Sequence, residues 1–147
     1  MASSVAGVIE PTLQAAEVRR SVERPTSDLT AYDLYLRALS HANTWEKEGI
    51  FAALDLLQQT NERDPQYGPA LALAAMCQQN IHINGWTEYP EMDRNKAVNL
   101  ARRALQVAGD DPSVLGNVAY VLGYFGEDID AAVELIDRAL DSSAENL

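Results

Sequence analysis

Small residues recur at a fixed spacing in three separate segments of this 147-residue chain. In each segment a small side chain is followed by another seven positions later, in the pairs Ala53/Thr60, Ala97/Ala104 and Ala132/Ala139. Seven residues make about two turns of an α-helix, so both members of a pair lie on the same helix face. The spacing therefore predicts three similar helices, each crossed closely by a neighbour.

Apolar residues at helical spacing predict six helices, which we expect to stack as three antiparallel hairpins over residues 29–141. Asp28 and Thr30 are candidate caps of the first helix. Helix-breaking residues at 64–65 and 109–112 are predicted to separate the hairpins. The stretch 80–92 is predicted to be a long polar and aromatic loop. A further helix around 11–22 is expected to pack on the first pair. The apolar stripe of the sixth helix is predicted to be Ile129, Ala132, Val133, Ile136 and Leu140.

Charge and composition disfavour two classes of partner. The chain carries 22 acidic and 11 basic residues, a net charge of −11. Nucleic acids and anionic membranes are both bound through Lys and Arg. No stretch approaches the ~20 apolar residues that span a bilayer, and the N-terminus lacks the basic start of a secretory signal. We therefore expect a cytoplasmic protein with neither a nucleic-acid nor a membrane partner.

The sequence lacks the common catalytic and cofactor-binding motifs. It has no Gly-rich phosphate loop, no HExxH and no CxxC. Its two histidines, His41 and His82, are far apart and not paired at helical spacing. Cys77 lies on an apolar helix stripe, where a thiol is usually a small buried hydrophobe. We expect no catalytic residue, metal or cofactor in this segment.

The repeated hairpins resemble the tetratricopeptide family, whose ~34-residue repeat has small residues at the helix crossing and a terminal proline. Pro65 occupies that terminal position. The last hairpin follows the pattern, with about one residue inserted, at Ala119, Gly126, Ala132 and Ala139. The stretches 44–47 and 80–92 depart from it by about three and about eleven extra residues. The resemblance implies an all-α fold of about three hairpins stacked as a right-handed superhelix.

A second resemblance covers residues 9–38. The Pro25 turn, followed by the run AYDLYLR at 31–37, is similar to the junction between upstream domains and tetratricopeptide arrays in bacterial class III adenylate/guanylate cyclases and winged-helix regulators. This resemblance implies a linking helix at 1–24 and a repeat domain at 25–147. It also implies that the chain is a non-catalytic interaction module of a multidomain signalling protein. The alternatives are a free-standing repeat scaffold or an enzyme of unrecognised type, with a pocket near 80–92.

The tetratricopeptide resemblance further implies that the first helix of each pair lines a concave face that binds a protein or peptide. The candidate contacts on those helices are Tyr35, Leu39, Leu71, Ala75, Gln78, Gln79, Tyr120 and Tyr124. Interhelical packing is the alternative role for the aromatic members. None is Lys or Arg, so we do not expect the specificity for carboxylate tails that some family members have.

The stretch 80–92 supplies three further candidates, His82, Trp86 and Tyr89. It is more apolar and aromatic than a solvated loop. Two roles are open for its aromatic residues. They either fold back to cover the neighbouring helix pair, or they contact a partner or a second copy of the chain, which would make a homodimer.

Overall fold

The computed structural model describes residues 28–127 and 129–145, and all regular structure within these ranges is α-helical. The helix expected around 11–22 and the linking segment 1–24 lie outside the described residues. The six helices are α1 (Leu29–Ala42), α2 (Lys47–Arg63), α3 (Gly68–Asn84), α4 (Pro90–Ala108), α5 (Pro112–Tyr124) and α6 (Ile129–Glu145). In the described ranges no helix has the length and apolar character needed to cross a membrane.

Consecutive helices form three hairpins, α1/α2, α3/α4 and α5/α6, within which the packing is most extensive. Short connections between packed neighbours make each pair antiparallel. The first helix of each later hairpin also packs on the hairpin before it: α3 on α2, and α5 on α3 and α4. The all-α arrangement of stacked helical hairpins expected from the sequence is therefore confirmed.

The cap of α1 is the one that the sequence predicts. The Asp28 carboxylate accepts hydrogen bonds from the backbone N–H groups of Thr30 at 2.9 Å and Ala31 at 3.1 Å. The bond from Ala31, together with the Arg63 guanidinium 3.0 Å away, lowers the pKa of Asp28 below its ordinary value. Because the folded pKa is the lower one, this cap stabilises the fold above the unfolded carboxyl pKa and is lost as the pH falls through the folded value.

Five of the six small residues of the repeated pattern are buried where helices pack, and the sixth, Ala139, is only half-buried on α6. Ala53, Ala97 and Ala104 are fully buried. Thr60 is equally buried, and its hydroxyl donates to the Leu56 carbonyl at 2.9 Å, which satisfies the buried donor. Close approach is therefore achieved in α2 and α4 alike, because each crossing position has a small side chain.

Two arginines make the same contact in successive hairpins. Arg103 and Arg138 each lie six residues after the first alanine of their repeated pair. Arg103 donates to the carbonyl of Pro65 at 3.2 Å, and Arg138 donates to the carbonyl of Gly109 at 3.0 Å. Both carbonyls lie next to the turn between one hairpin and the next. The recurrence of this contact at one register supports a structural repeat.

The stretch 80–92, expected to be a loop, is mostly helical. Helix α3 continues to Asn84 because Ile81 extends its buried stripe and is only 3% exposed. The Asn84 side-chain amide also donates to the carbonyl and the side-chain oxygen of Asn80, both at 2.8 Å. Helix α4 begins at Pro90, whose missing N–H is not needed at a first helical position. Only residues 85–89 connect the helices, so the extra residues lengthen the hairpin.

The predicted stripe of α6 is wrong in three positions. Val133, Ile136 and Leu140 are 53%, 44% and 64% exposed, whereas Ala132 and Leu135 are buried against the preceding helices. Helix α6 packs mainly on α5, so only one strip of its surface is covered. Periodicity identifies an apolar side of a helix, but it does not say how much of that side a neighbour covers.

Replacing Ala119 with Leu is expected to destabilise the fold, because Ala119 is 2% exposed within the core shared by α3–α6. Extra methylene groups in a packed crossing cost about 1–3 kcal/mol. The matched control is Ala131→Leu, at an exposed position of α6. Urea unfolding should show a lower free energy of unfolding for Ala119→Leu only. Equal free energies for the two variants would contradict the crossing position of Ala119.

Candidate binding groove

A groove of about 310 Å³ runs across α3 and α5, the first helices of the second and third hairpins. It begins at the α1–α2 turn, crosses α3 and ends on α5. Seven side chains line what we call the groove: Trp45, Met76, Gln79, Asn80, Ile83, Asn117 and Tyr120.

Helical periodicity explains why these side chains meet. Met76, Gln79, Asn80 and Ile83 follow one another at intervals of three, one and three residues, which places them on one face of α3. Asn117 and Tyr120 are three residues apart on α5, which packs alongside α3. The groove is therefore built on two rigid helices, and only Trp45 comes from a connecting turn.

Trp45 adopts a backbone conformation that is rare for a large side chain. Its φ is +54°, in the left-handed region, where L-residues other than Gly are disfavoured by about 1–2 kcal/mol. The Trp45 N–H donates to the Ala42 carbonyl at 3.0 Å, and the Thr44 hydroxyl donates to the His41 carbonyl at 2.8 Å. These bonds hold the turn, and the indole at the rim of the groove remains 52% exposed.

Gly49 is needed directly beneath this turn. A Cβ at residue 49 would lie 2.5 Å from the His41 carbonyl oxygen and would also overlap the Thr44 side chain. The absence of a side chain at Gly49, in the first turn of α2, therefore allows the α1–α2 connection to pack against α2 in the conformation that positions Trp45.

Gln79 has an unsatisfied amide at the wall of the groove. The residue is 2% exposed, and its Nε2 has no hydrogen-bond partner among the described residues. A buried donor without a partner costs about 1–3 kcal/mol. Asn80 is different, because Asn84 donates to its side-chain oxygen and so orients its amide.

The lining of the groove is uncharged. It consists of four apolar or aromatic side chains and three amides, and none of the seven residues is Asp, Glu, Lys, Arg or His. The net charge of −11 therefore lies outside the groove. None of these side chains is poised to act as a general base or a nucleophile near neutral pH.

Of the concave-face candidates, only Gln79 and Tyr120 line the groove. Tyr35 is 8% exposed in the hydrophobic cluster formed by α1–α3, and Leu71 is 0% exposed in the cluster formed by α3–α6, so both have almost no surface to offer a partner. Leu39 packs half-buried against the cluster formed by α1–α3. The remaining candidates lie elsewhere: Ala75 is buried, Gln78 is on another face of α3, and Tyr124 is exposed next to Phe125.

The candidates from 80–92 do not come together. His82 lies near the end of α3, with its ring 5.0 Å from that of Phe125 in an edge-on arrangement. Trp86 packs half-buried against the core of the first three helices, as in the covering role considered from the sequence. Tyr89 is 64% exposed at the start of α4.

Sequence reasoning missed Trp45, Met76, Asn80, Ile83 and Asn117. A signal for Trp45 was present, because a Trp among the extra residues of a short turn has no helix stripe to join. Predicting the other four residues requires knowing how α3 and α5 are rotated about their axes, and periodicity alone does not determine that rotation.

A second, wider groove of about 610 Å³ lies on the opposite side of α3. At 3.6 residues per turn, its α3 residues Ala74 and Gln78 point about 170° away from the row containing Gln79. The carboxylates of Asp55 and Glu62 and the amine of Lys96 line it. Because it is open and charged, water solvates it well, and it is a weaker candidate for a specific site.

In the described ranges no group of three or more His, Cys, Asp or Glu side chains is arranged to hold a metal ion. Cys77 is 1% exposed, and burial raises the pKa of its thiol to about 12, because desolvation disfavours the thiolate.

Comparison with known proteins gave no match, either to a family model or to a curated protein. The fold defines the class as a stack of α-helical hairpins, and the uncharged groove is a candidate binding site on it.

The Gly49→Ala variant should be destabilised by about 1–3 kcal/mol, because the His41 carbonyl oxygen is part of the backbone and cannot move aside cheaply. The control is Gly116→Ala in α5, where an added Cβ has no atom within 4 Å. That change should stabilise the protein by about 0.5–1 kcal/mol through helix propensity. Chemical denaturation should show opposite signs, and a stabilised Gly49→Ala protein would refute the proposed support of the turn.

Alkylation should detect the buried thiol. At mildly alkaline pH, well below a pKa of about 12, native Cys77 should react with iodoacetamide far more slowly than Cys77 in the urea-unfolded protein. Mass spectrometry of the intact protein measures the adduct. Fast labelling of the native protein at a rate independent of urea would contradict the burial of this side chain.

Proposed function

We propose that this segment is a non-catalytic interaction module that binds an extended peptide segment of a partner protein in the groove. The observation that carries the proposal is the position of the groove across α3 and α5, with exposed aromatic side chains at both ends. Trp45 is 52% exposed at one end and Tyr120 is 57% exposed at the other. Exposed aromatic side chains are frequent anchors in protein interfaces.

The shape of the groove suits a chain segment better than a compact substrate. Its volume of about 310 Å³ is at the lower end for small-molecule pockets, and it runs over a turn and two helices. A peptide in such a groove can seat a few side chains while its main chain continues beyond both ends. The absence of charged side chains from the lining also favours binding over acid–base catalysis.

We further propose that the module belongs to the tetratricopeptide group and serves a cytoplasmic, multidomain bacterial signalling protein. Support comes from the hairpin stack and from the sequence resemblance over 9–38, most of which lies outside the described residues. In that setting the groove would recruit a partner or another domain, while the upstream segment supplies the activity. A free-standing scaffold would use the same groove.

Tyr120→Ala should abolish binding without changing the fold, because the side chain is exposed and contributes little to the core. We suggest selecting a phage-displayed random peptide library on the parent protein and testing the enriched peptides on the variant. Tyr89→Ala is the matched control, since Tyr89 is 64% exposed, similar to Tyr120, but lies outside the groove. Enriched peptides should bind the parent and the control but not Tyr120→Ala.

Two results would count against peptide binding in the groove. One is a selection that enriches no peptide on the folded parent protein. The other is a set of enriched peptides that bind Tyr120→Ala as tightly as the parent.

A further inference from the structure

We infer that the outer face of α6 is a docking site for an amphipathic helix of a partner protein, in which Lys or Arg side chains border one edge of an apolar stripe. The outer face is separate from the groove, so this inference goes beyond the proposed function and does not depend on it. The face consists of an apolar row, Val133, Ile136 and Leu140, and an acidic row, Asp130, Glu134, Asp137 and Asp141.

The apolar row is a continuous strip of uncovered side chains. Its members follow one another at intervals of three and four residues, which places them on one side of the helix over about two turns. All three are exposed, whereas within the described ranges α6 packs mainly on α5, through Ala132 and Leu135. Contiguous apolar surface without a cover is typical of interaction sites.

The acidic row runs along one edge of this strip. Its members follow at intervals of four, three and four residues, and at about 100° per residue the row lies about 100° around the helix from the apolar row. Ala132 and Leu135, which pack on the core, lie about 100° away in the opposite direction. The apolar strip therefore has one edge lined by carboxylates and one edge covered by α5.

The charge of the acidic row is not compensated within the described ranges. All four side chains are exposed, and none is paired there with a Lys or Arg. Arg138 is the single base between residues 130 and 141, and its guanidinium donates to the Gly109 carbonyl at 3.0 Å. Like charges four residues apart on a helix repel one another. Basic side chains of a partner would relieve this repulsion and complement the charge of the row.

A helix suits the strip better than an extended chain does. The backbone groups of α6 are bonded within the helix, so an extended segment on this face would find no main-chain partner. A helix satisfies its own backbone and can present apolar side chains at i, i+3 and i+7, the spacing of the apolar row. Its basic residues would lie along one edge only, because α5 covers the other edge of the strip.

Other occupants fit the outer face less well. A second copy would bring another acidic row and a further net charge of −11 to the contact. Anionic membranes are disfavoured by the same carboxylates. Residues 1–27 of the same chain precede α1, which belongs to the first hairpin of the stack, whereas α6 belongs to the last. Charge complementarity therefore favours a basic helix of another protein.

The first test uses two designed peptides, stapled as helices so that binding does not have to order them. Both have a leucine stripe at i, i+3 and i+7, bordered along one edge by lysines in one peptide and by glutamates in the other. Calorimetry should show the lysine peptide binding at least tenfold more tightly, with an affinity that falls as salt rises. Equal affinities, or no binding of the lysine peptide, would overturn the inference.

The second test is Ile136→Ser, which should weaken binding of the lysine peptide roughly tenfold because it removes the middle of the apolar row. Ile83→Ser is the matched control, since Ile83 is 46% exposed in the groove and Ile136 is 44% exposed. The control should bind like the parent. Leu140→Ser replaces the first variant if that one does not fold. An equal loss in the control, or unchanged affinity in every folded variant of the row, would contradict docking on α6.

Reversing the charge of the acidic row should reverse the preference between the peptides. The double variant Asp137→Lys, Asp141→Lys should bind the glutamate peptide more tightly than the lysine peptide. The control is Asp33→Lys, Asp55→Lys, which changes the net charge equally at exposed positions on α1 and α2. It should keep the preference for lysine. A reversal in the control as well would mean that overall charge, and not the acidic row, selects the peptide.

Photo-crosslinking from p-benzoylphenylalanine placed at Ile136 identifies the occupant of the outer face in the full chain. With the lysine peptide present, mass spectrometry should find an adduct to that peptide. Crosslinks between two copies would identify a second copy as the occupant, and crosslinks to residues 1–27 would identify that segment. Either result would overturn the inference. Neither would affect the proposed function, which Tyr120→Ala tests in the groove.

Discussion

The helices of this protein approach one another closely because small side chains occupy the positions where they cross. Ala97 and Ala104 in α4 and Ala119 in α5 are all buried in the same cluster. Gly68, at the start of α3, lies directly against Ala108, where any side chain would clash. Close crossing brings backbones together, and in this stack it sets the distance between successive hairpins. Every other contact between hairpins, including those of Arg103 and Arg138 with neighbouring carbonyls, depends on that distance.

Helix α3 shows what this close stacking requires of a central element. It packs against α1, α2, α4 and α5, and its buried residues lie all around its axis. Such a helix has no broad solvent face on which polar side chains could collect. Its amides are instead distributed between two grooves on opposite sides, with Gln78 in one and Gln79 in the other. The unsatisfied donor of Gln79 therefore follows from placing a polar residue on a helix that is covered on several sides.

The groove combines this covered helix with a strained turn. Trp45 has a positive φ and an exposed indole, two features that each cost stability, and the Thr44 and Gly49 contacts hold it there. A fold selected only for stability would bury the indole or replace it. The groove thus has two local costs, the strained turn and the unsatisfied amide of Gln79. Such costs are typical of functional sites.

Local periodicity determined the six helices of the described ranges, most of their limits, the cap at Asp28 and the burial of the crossing alanines other than Ala139, because each depends on residues within a few turns of one another. The candidate groove was only partly predicted, through Gln79 and Tyr120. Tertiary packing decided the rest. It continued α3 through Ile81, buried Tyr35 and Leu71, and left Val133, Ile136 and Leu140 exposed on α6. The physical reason is that a helix pattern specifies an apolar side, whereas its exposure depends on the rotation and number of neighbouring helices, which are set by contacts distant in the sequence.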